Sequence, residues 1–157
     1  MITIPKPALI VGLLGIIPFI FSSTMQIFEV PENYWLNLIF DNNKHDNILI
    51  IYGAIILSFM SGSFWALTLK SDSALPKKVY MLSVSPSLIM FFFLSAHVLF
   101  LINNTNYSFV VLILCFIGIL FCDFYFSKIQ LVPKWWLKLR LLLTPIVIIL
   151  LLVGFIN

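Results

Sequence analysis

Few residues in this chain could do chemistry, and their spacing limits what that chemistry is. Asp123 closes a long charge-free run, and Arg140 stands early in the next apolar stretch. A carboxylate and a guanidinium in such surroundings serve either as a structural ion pair or as a relay for protons or a substrate. His97 lies in another apolar stretch, but the only other histidine, His45, is in a polar connection, so a bis-histidine haem is not expected. Cys115 and Cys122 are seven residues apart. That is about two helical turns, or roughly 10 Å, too far for a disulfide. No Cys or His spacing suits a metal, and no serine stands in a GxSxG context or beside a recognisable base. Neither a catalytic residue nor a cofactor is expected.

Composition explains why these groups are so isolated. Of 157 residues, 62% are hydrophobic and only 10% are charged, where a soluble domain carries roughly a quarter. A net charge of +3, spread along the chain, is too small for a phosphate footprint. These values exclude a soluble globular domain, a disordered chain and a nucleic-acid binder. An all-α integral membrane protein remains.

A spanning helix needs about 20 apolar residues, and five stretches qualify: 7–28, 47–69, 79–102, 107–126 and 135–156. The charge-free run 79–122 is too long for one span and is divided at Asn103-Asn104-Thr105-Asn106, a cluster of turn formers. Residues 22–24 make a poor cleavage site and the apolar run resumes after them, so the first stretch reads as a retained span. The five spans form one membrane domain, 1–157, as a compact bundle. In the longest connection, residues 32–40 show helical spacing of polar residues opposite Trp35, Leu38 and Ile39, which suits a short interfacial helix or a plain turn with an aromatic anchor.

Basic residues set the orientation. Lys6, Lys70, Lys77, Lys78, Lys128, Lys134, Lys138 and Arg140 fall on one side, and only Lys44 falls on the other. The N-terminus is therefore expected inside and the C-terminus outside.

Within the spans, Ala54, Ser58, Gly62 and Ala66 recur every fourth residue, a small-residue ridge along which another helix can approach closely. Gly12 and Gly15 offer the same on span one. The ridge reads as the packing centre of the bundle or as one wall of a pore. Pro18, Pro86 and Pro145 each free a carbonyl one turn earlier, and Ser85, Ser87 and Thr144 are placed to satisfy such groups. Depth counting puts Gly12, Gly15, Gly62, Trp65, Ser85, Asp123, Arg140 and Thr144 in the inner half of the bilayer. Gln26, Tyr52 and His97 fall in the outer half. Asp123, Arg140, Trp65, Ser85 and Thr144 are thus a candidate polar cluster, with His97 a secondary candidate.

Several of these stretches resemble a family of small bacterial and mitochondrial inner-membrane proteins of unknown function, the transmembrane protein 69-like family. They are Gly12-Leu-Leu-Gly15-Ile-Ile-Pro18-Phe19, Tyr52-Gly53-Ala54 with Ser58-Phe59-Met-Ser-Gly62-Ser-Phe64-Trp65, Ser83-Val-Ser-Pro86-Ser, Asp123, and Pro133-Lys-Trp135-Trp136-Leu-Lys-Leu139-Arg140 with Thr144. The similarity runs in order along nearly the whole chain. Three positions depart from it: Phe64-Trp65-Ala66 stands where the family usually shows His-Trp-Gly, and Phe124 where it tends to have a basic residue. The resemblance implies five helices and an energy-transducing membrane, and supplies no activity.

The expectation is a multi-pass protein of a bacterial inner or mitochondrial inner membrane, acting as a structural, accessory or assembly component. Its partners would be the lipid bilayer and other integral membrane proteins, with no nucleic acid. The alternative is a small proton or metabolite carrier using Asp123 and Arg140.

Overall fold

The computed structural model describes residues 3–27, 42–71, 75–99 and 106–156. Every regular element among them is an α-helix: α1 Lys6–Leu14, α2 Ile17–Ile27, α3 Asn42–Leu69, α4 Lys77–Leu99, α5 Asn106–Lys128 and α6 Trp136–Ile156. Helices α1 and α2 are two halves of the first span, broken at Gly15 and Ile16. Among the described residues, five helical stretches are long and apolar enough to cross a membrane: Lys6–Thr24, Ile48–Leu69, Lys77–Ala96, Asn106–Lys128 and Trp136–Ile156. In hydrocarbon a helix satisfies its own backbone groups, so these apolar sequences have little other choice.

Consecutive helices pack as antiparallel neighbours, and α2 also closes against α6. Helix α3 touches α2, α4, α5 and α6, and is the centre of the bundle. Its inward face carries Leu49, Leu57 and Phe64, packed with Phe19 of α2 and Leu112, Phe116 and Phe126 of α5, and also carries the buried Thr68. Among lipid tails there is little hydrophobic drive between helices, so this contact rests on close packing. Gly53 shows how close: a Cβ there would lie 2.5 Å from Leu112 Cδ2. At Gly12 it would lie 2.7 Å from Leu143 Cδ1. Gly12 thus makes a close contact with α6, and Gly53, which is not part of the ridge, makes one with α5.

The ridge itself needs correction. Ser58, Gly62 and Ala66 are exposed and Ala54 is only half-buried. A Cβ on Gly62 would meet nothing within 4 Å. Adjacent helix residues differ by about 100°, so the buried stripe through Gly53 and Leu57 turns the stripe one residue later toward the edge of the bundle. Helix α3 is central, but not by way of its small residues.

One end of the bundle gathers the basic residues. Lys78 at the start of α4 lies over the Tyr125 ring near the end of α5, at 5.4 Å. Lys70 and Ser71 adjoin Gln130 and Pro133 of the α5–α6 connection. Ile4, near Lys6, and Trp135 pack against one cluster of Ile16, Leu139 and Leu143.

The prolines behave unequally. Pro86 frees the Leu82 carbonyl, which accepts the Ser85 hydroxyl at 3.3 Å and the Cys122 thiol at 4.0 Å. Thr144 does not serve Pro145 in this way, since its hydroxyl has no partner. At the α1–α2 break, the Gly15 carbonyl accepts the Tyr52 hydroxyl at 3.0 Å. Depth counting puts these two residues in opposite halves of the bilayer, but Gly15 stands at the middle of its span and the long phenol reaches it. The 32–40 segment and the turn at 103–105 lie outside the described residues.

Candidate functional site

The α5–α6 connection builds a buried polar centre that holds an ion pair. Helix α5 ends in a Schellman-type turn: Leu131 N–H donates to Phe126 O at 2.9 Å and Gln130 N–H to Ser127 O at 3.2 Å. That motif places its closing residue in the left-handed region, and Gln130 is there with φ 58°. Pro133 follows and its carbonyl accepts Trp136 N–H at 2.9 Å, opening α6. The short reversal brings the last turns of α5 against the first turns of α6.

Asp123 therefore faces two donors. The Trp136 indole N–H donates to Oδ1, and Arg140 Nε donates to Oδ2 at 3.1 Å. Asp123 has 0% of its surface exposed and Arg140 6%. The pairing offsets two unfavourable placements: a carboxylate near a helix C-terminus and a guanidinium near an N-terminus both oppose the helix dipole. Phe64 of α3 completes the wall, edge-on to Phe126 at 4.8 Å and to Trp136 at 6.4 Å. The residue at which this sequence departs from the histidine of its resembling family thus lies against the indole that holds Asp123.

Of the five residues grouped from the sequence, Asp123 and Arg140 meet. Thr144 is one turn beyond Arg140 on the same helix, buried, and it shares a cavity with Arg140. Trp65 does not join them: it is 41% exposed and stacks edge-on with Tyr80 of α4 at 6.0 Å. Ser85 also stands apart, bonded to its own helix. Both were placed by depth alone, and depth leaves the direction around the helix open. His97 lies on α4, with its side chain outside the described residues.

Sequence reasoning missed Trp136, Phe64 and Tyr52. The first had a legible signal: it precedes Arg140 by four residues, so both point from one face of α6. Among the described residues no group of three His, Cys, Asp or Glu side chains could hold a metal ion.

What the centre can do chemically follows from its closure. One carboxylate oxygen accepts from the half-buried Trp136 indole and the other from the buried Arg140, and no surface of Asp123 is exposed. The arrangement ties α5 to α6 and, through Phe64, to α3.

Comparison with known proteins places these features. Transmembrane protein 69 of Xenopus tropicalis is 29% identical over 153 residues, 98% of this chain and 55% of that protein. The chain thus spans about half the length of the curated relative it matches. No solved structure matches. The family described as "Protein of unknown function (DUF3429)" matches residues 4–156, and with its five apolar helices the chain belongs to this transmembrane protein 69-like family of membrane proteins.

Proposed function

We propose that this chain is a structural or accessory component of a larger assembly in a bacterial inner membrane or a mitochondrial inner membrane. It acts as a single membrane domain, with its N-terminus on the inner side and its C-terminus outside. The orientation rests on the basic residues gathered at one end of the bundle, which the positive-inside rule puts inward.

One observation carries the accessory reading: the small-residue face of α3, Ser58, Gly62 and Ala66, is turned away from the chain's own helices. Such a face lets a foreign helix backbone approach closely, and lipid tails make no use of it. The carrier alternative has less support, because Asp123 is wholly enclosed and a mobile proton needs a route.

The test is native-gel migration of the full chain from gently solubilised native membranes. The expected result is a band well above the 18.0 kDa of the monomer, composed of this chain and another integral membrane protein. Gly62→Leu should collapse it to monomer without changing the unfolding midpoint of the purified chain. Monomer alone from native membranes, or an assembly of this chain only, overturns the accessory reading.

A further inference from the structure

A cavity of about 230 Å³ lies between the first span, α3, α5 and α6. That is larger than the roughly 150 Å³ that holds a benzene ring in an apolar protein interior. Val11 and Phe59 are among its lining residues and are 68% and 71% exposed, so it opens sideways to the outer surface of the bundle. Phe116 is part of its apolar wall, and Arg140 and Thr144 are its polar side chains.

Both polar residues are incomplete. Arg140 Nη2 and Thr144 Oγ1 are buried with no hydrogen-bond partner. Elsewhere Ser63, Thr68, Ser83, Ser85 and Ser87 each turn the hydroxyl back to a carbonyl three residues earlier. Thr144 makes no such bond. Ser61 and Ser108 also lack partners, but they do not line this cavity. Two orphaned polar atoms on residues that line one cavity are costly and call for an explanation.

We infer that this cavity binds a hydrocarbon-soluble ring compound bearing a carbonyl oxygen, the chemistry of a quinone headgroup, with Arg140 and Thr144 as hydrogen-bond donors to that oxygen. Three features select this class. The acceptor is neutral, because Asp123 already balances Arg140 and a further anion would leave a net buried charge. The ligand enters from the lipid phase, because the opening is flanked by exposed Val11 and Phe59. It lies inward of the interface, because Gly15, Phe59, Phe116 and Thr144 each stand near the middle of their spans, with Arg140 one turn nearer the helix start. A phospholipid ester carbonyl, which belongs to the interface, lies at the wrong depth. The inference is independent of any partner on α3.

The test uses the purified full chain in mild detergent and two probes of matched tail, decylbenzoquinone and decylbenzene. Thermal unfolding should show a saturable upward shift with the quinone and none with decylbenzene. Thr144→Val, nearly isosteric, removes an unpaired buried hydroxyl, so it should hold or raise the unliganded midpoint, and it should weaken quinone binding about tenfold, the worth of one hydrogen bond. Val11→Trp, at the exposed mouth, should also keep the midpoint and remove the shift. Equal shifts with both probes, or quinone binding indifferent to Thr144→Val, overturn recognition of the carbonyl. No saturable shift with either probe overturns the site. Phospholipid that copurifies with the chain and is lost on Thr144→Val assigns the cavity to a lipid ester and also overturns the inference.

Discussion

In the α5–α6 hairpin the residues whose types stand out turn inward and meet: Asp123 accepts from Trp136 and Arg140 and is fully buried. On α3 the residues that stand out, Ser58, Gly62 and Ala66, turn outward, and the close contacts are made by Gly53, Leu57 and Phe64. The difference is physical. A charge at membrane depth costs about 2.5–3.5 kcal/mol if left to hydrocarbon, so its type dictates its direction. A glycine or serine costs little on either side. Four-residue spacing therefore says that small residues share a face, and not which face.

The strongest way to break this contrast is at the charges. Asp123→Ala or Arg140→Ala should each lower the stability of the purified chain by about 3–5 kcal/mol, because either leaves an uncompensated buried charge. The double variant should recover part of the loss. A double variant no better than the worse single, measured by thermal unfolding, would mean that the pair is not the coupling unit. Trp136→Phe keeps the aromatic contact with Phe64 and removes one donor to Asp123. It should cost about 1.5–3 kcal/mol, the worth of a hydrogen bond to a charged group. No measurable loss would show that Arg140 alone holds the carboxylate.

These contacts also show how far the sequence could be read. Span number and type were legible, because charge-free runs of spanning length admit only helices. The Asp123–Arg140 pair was legible because two charges of matched depth on neighbouring spans have few other solutions. Trp65 and Ser85 were not separable from that cluster, because hydropathy gives depth and not rotation about the helix axis. Rotation is decided by which apolar side chains interlock. On α3 that is Leu57 and Phe64 against α5, and all-round hydrophobic helices carry almost no amphipathic signal to reveal it. The cavity beside Thr144 was illegible for a further reason: a void depends on how three other helices fail to fill a space.

On α3 the same contrast is open to a direct measurement. Gly53→Ala should cost about 1–3 kcal/mol through overpacking. The new Cβ would come within 2.5 Å of Leu112 Cδ2, the tip of a fully buried side chain that must shift to admit it. An unchanged unfolding midpoint would mean that α3 and α5 can slide apart without loss, and that their packing is looser than the contact implies.

The smallest effect is the most informative about α3. Gly62→Leu should change the stability of the isolated chain by no more than about 0.5 kcal/mol, the usual range for a surface position. A Cβ there meets nothing within 4 Å, so no packing is disturbed. Glycine is also the poorer helix former by roughly 0.8–1 kcal/mol relative to the best residues, which biases the sign toward slight stabilisation. Gly53 and Gly62 belong to one helix, so the pair of substitutions holds backbone and span constant and varies only direction. A loss above about 1 kcal/mol at Gly62 would show that another part of this chain rests on the ridge, and the outward face would no longer support a foreign partner. A silent change in the purified chain, together with loss of the native assembly, would assign the ridge to contact between chains, because only a neighbour outside the fold could register the added side chain.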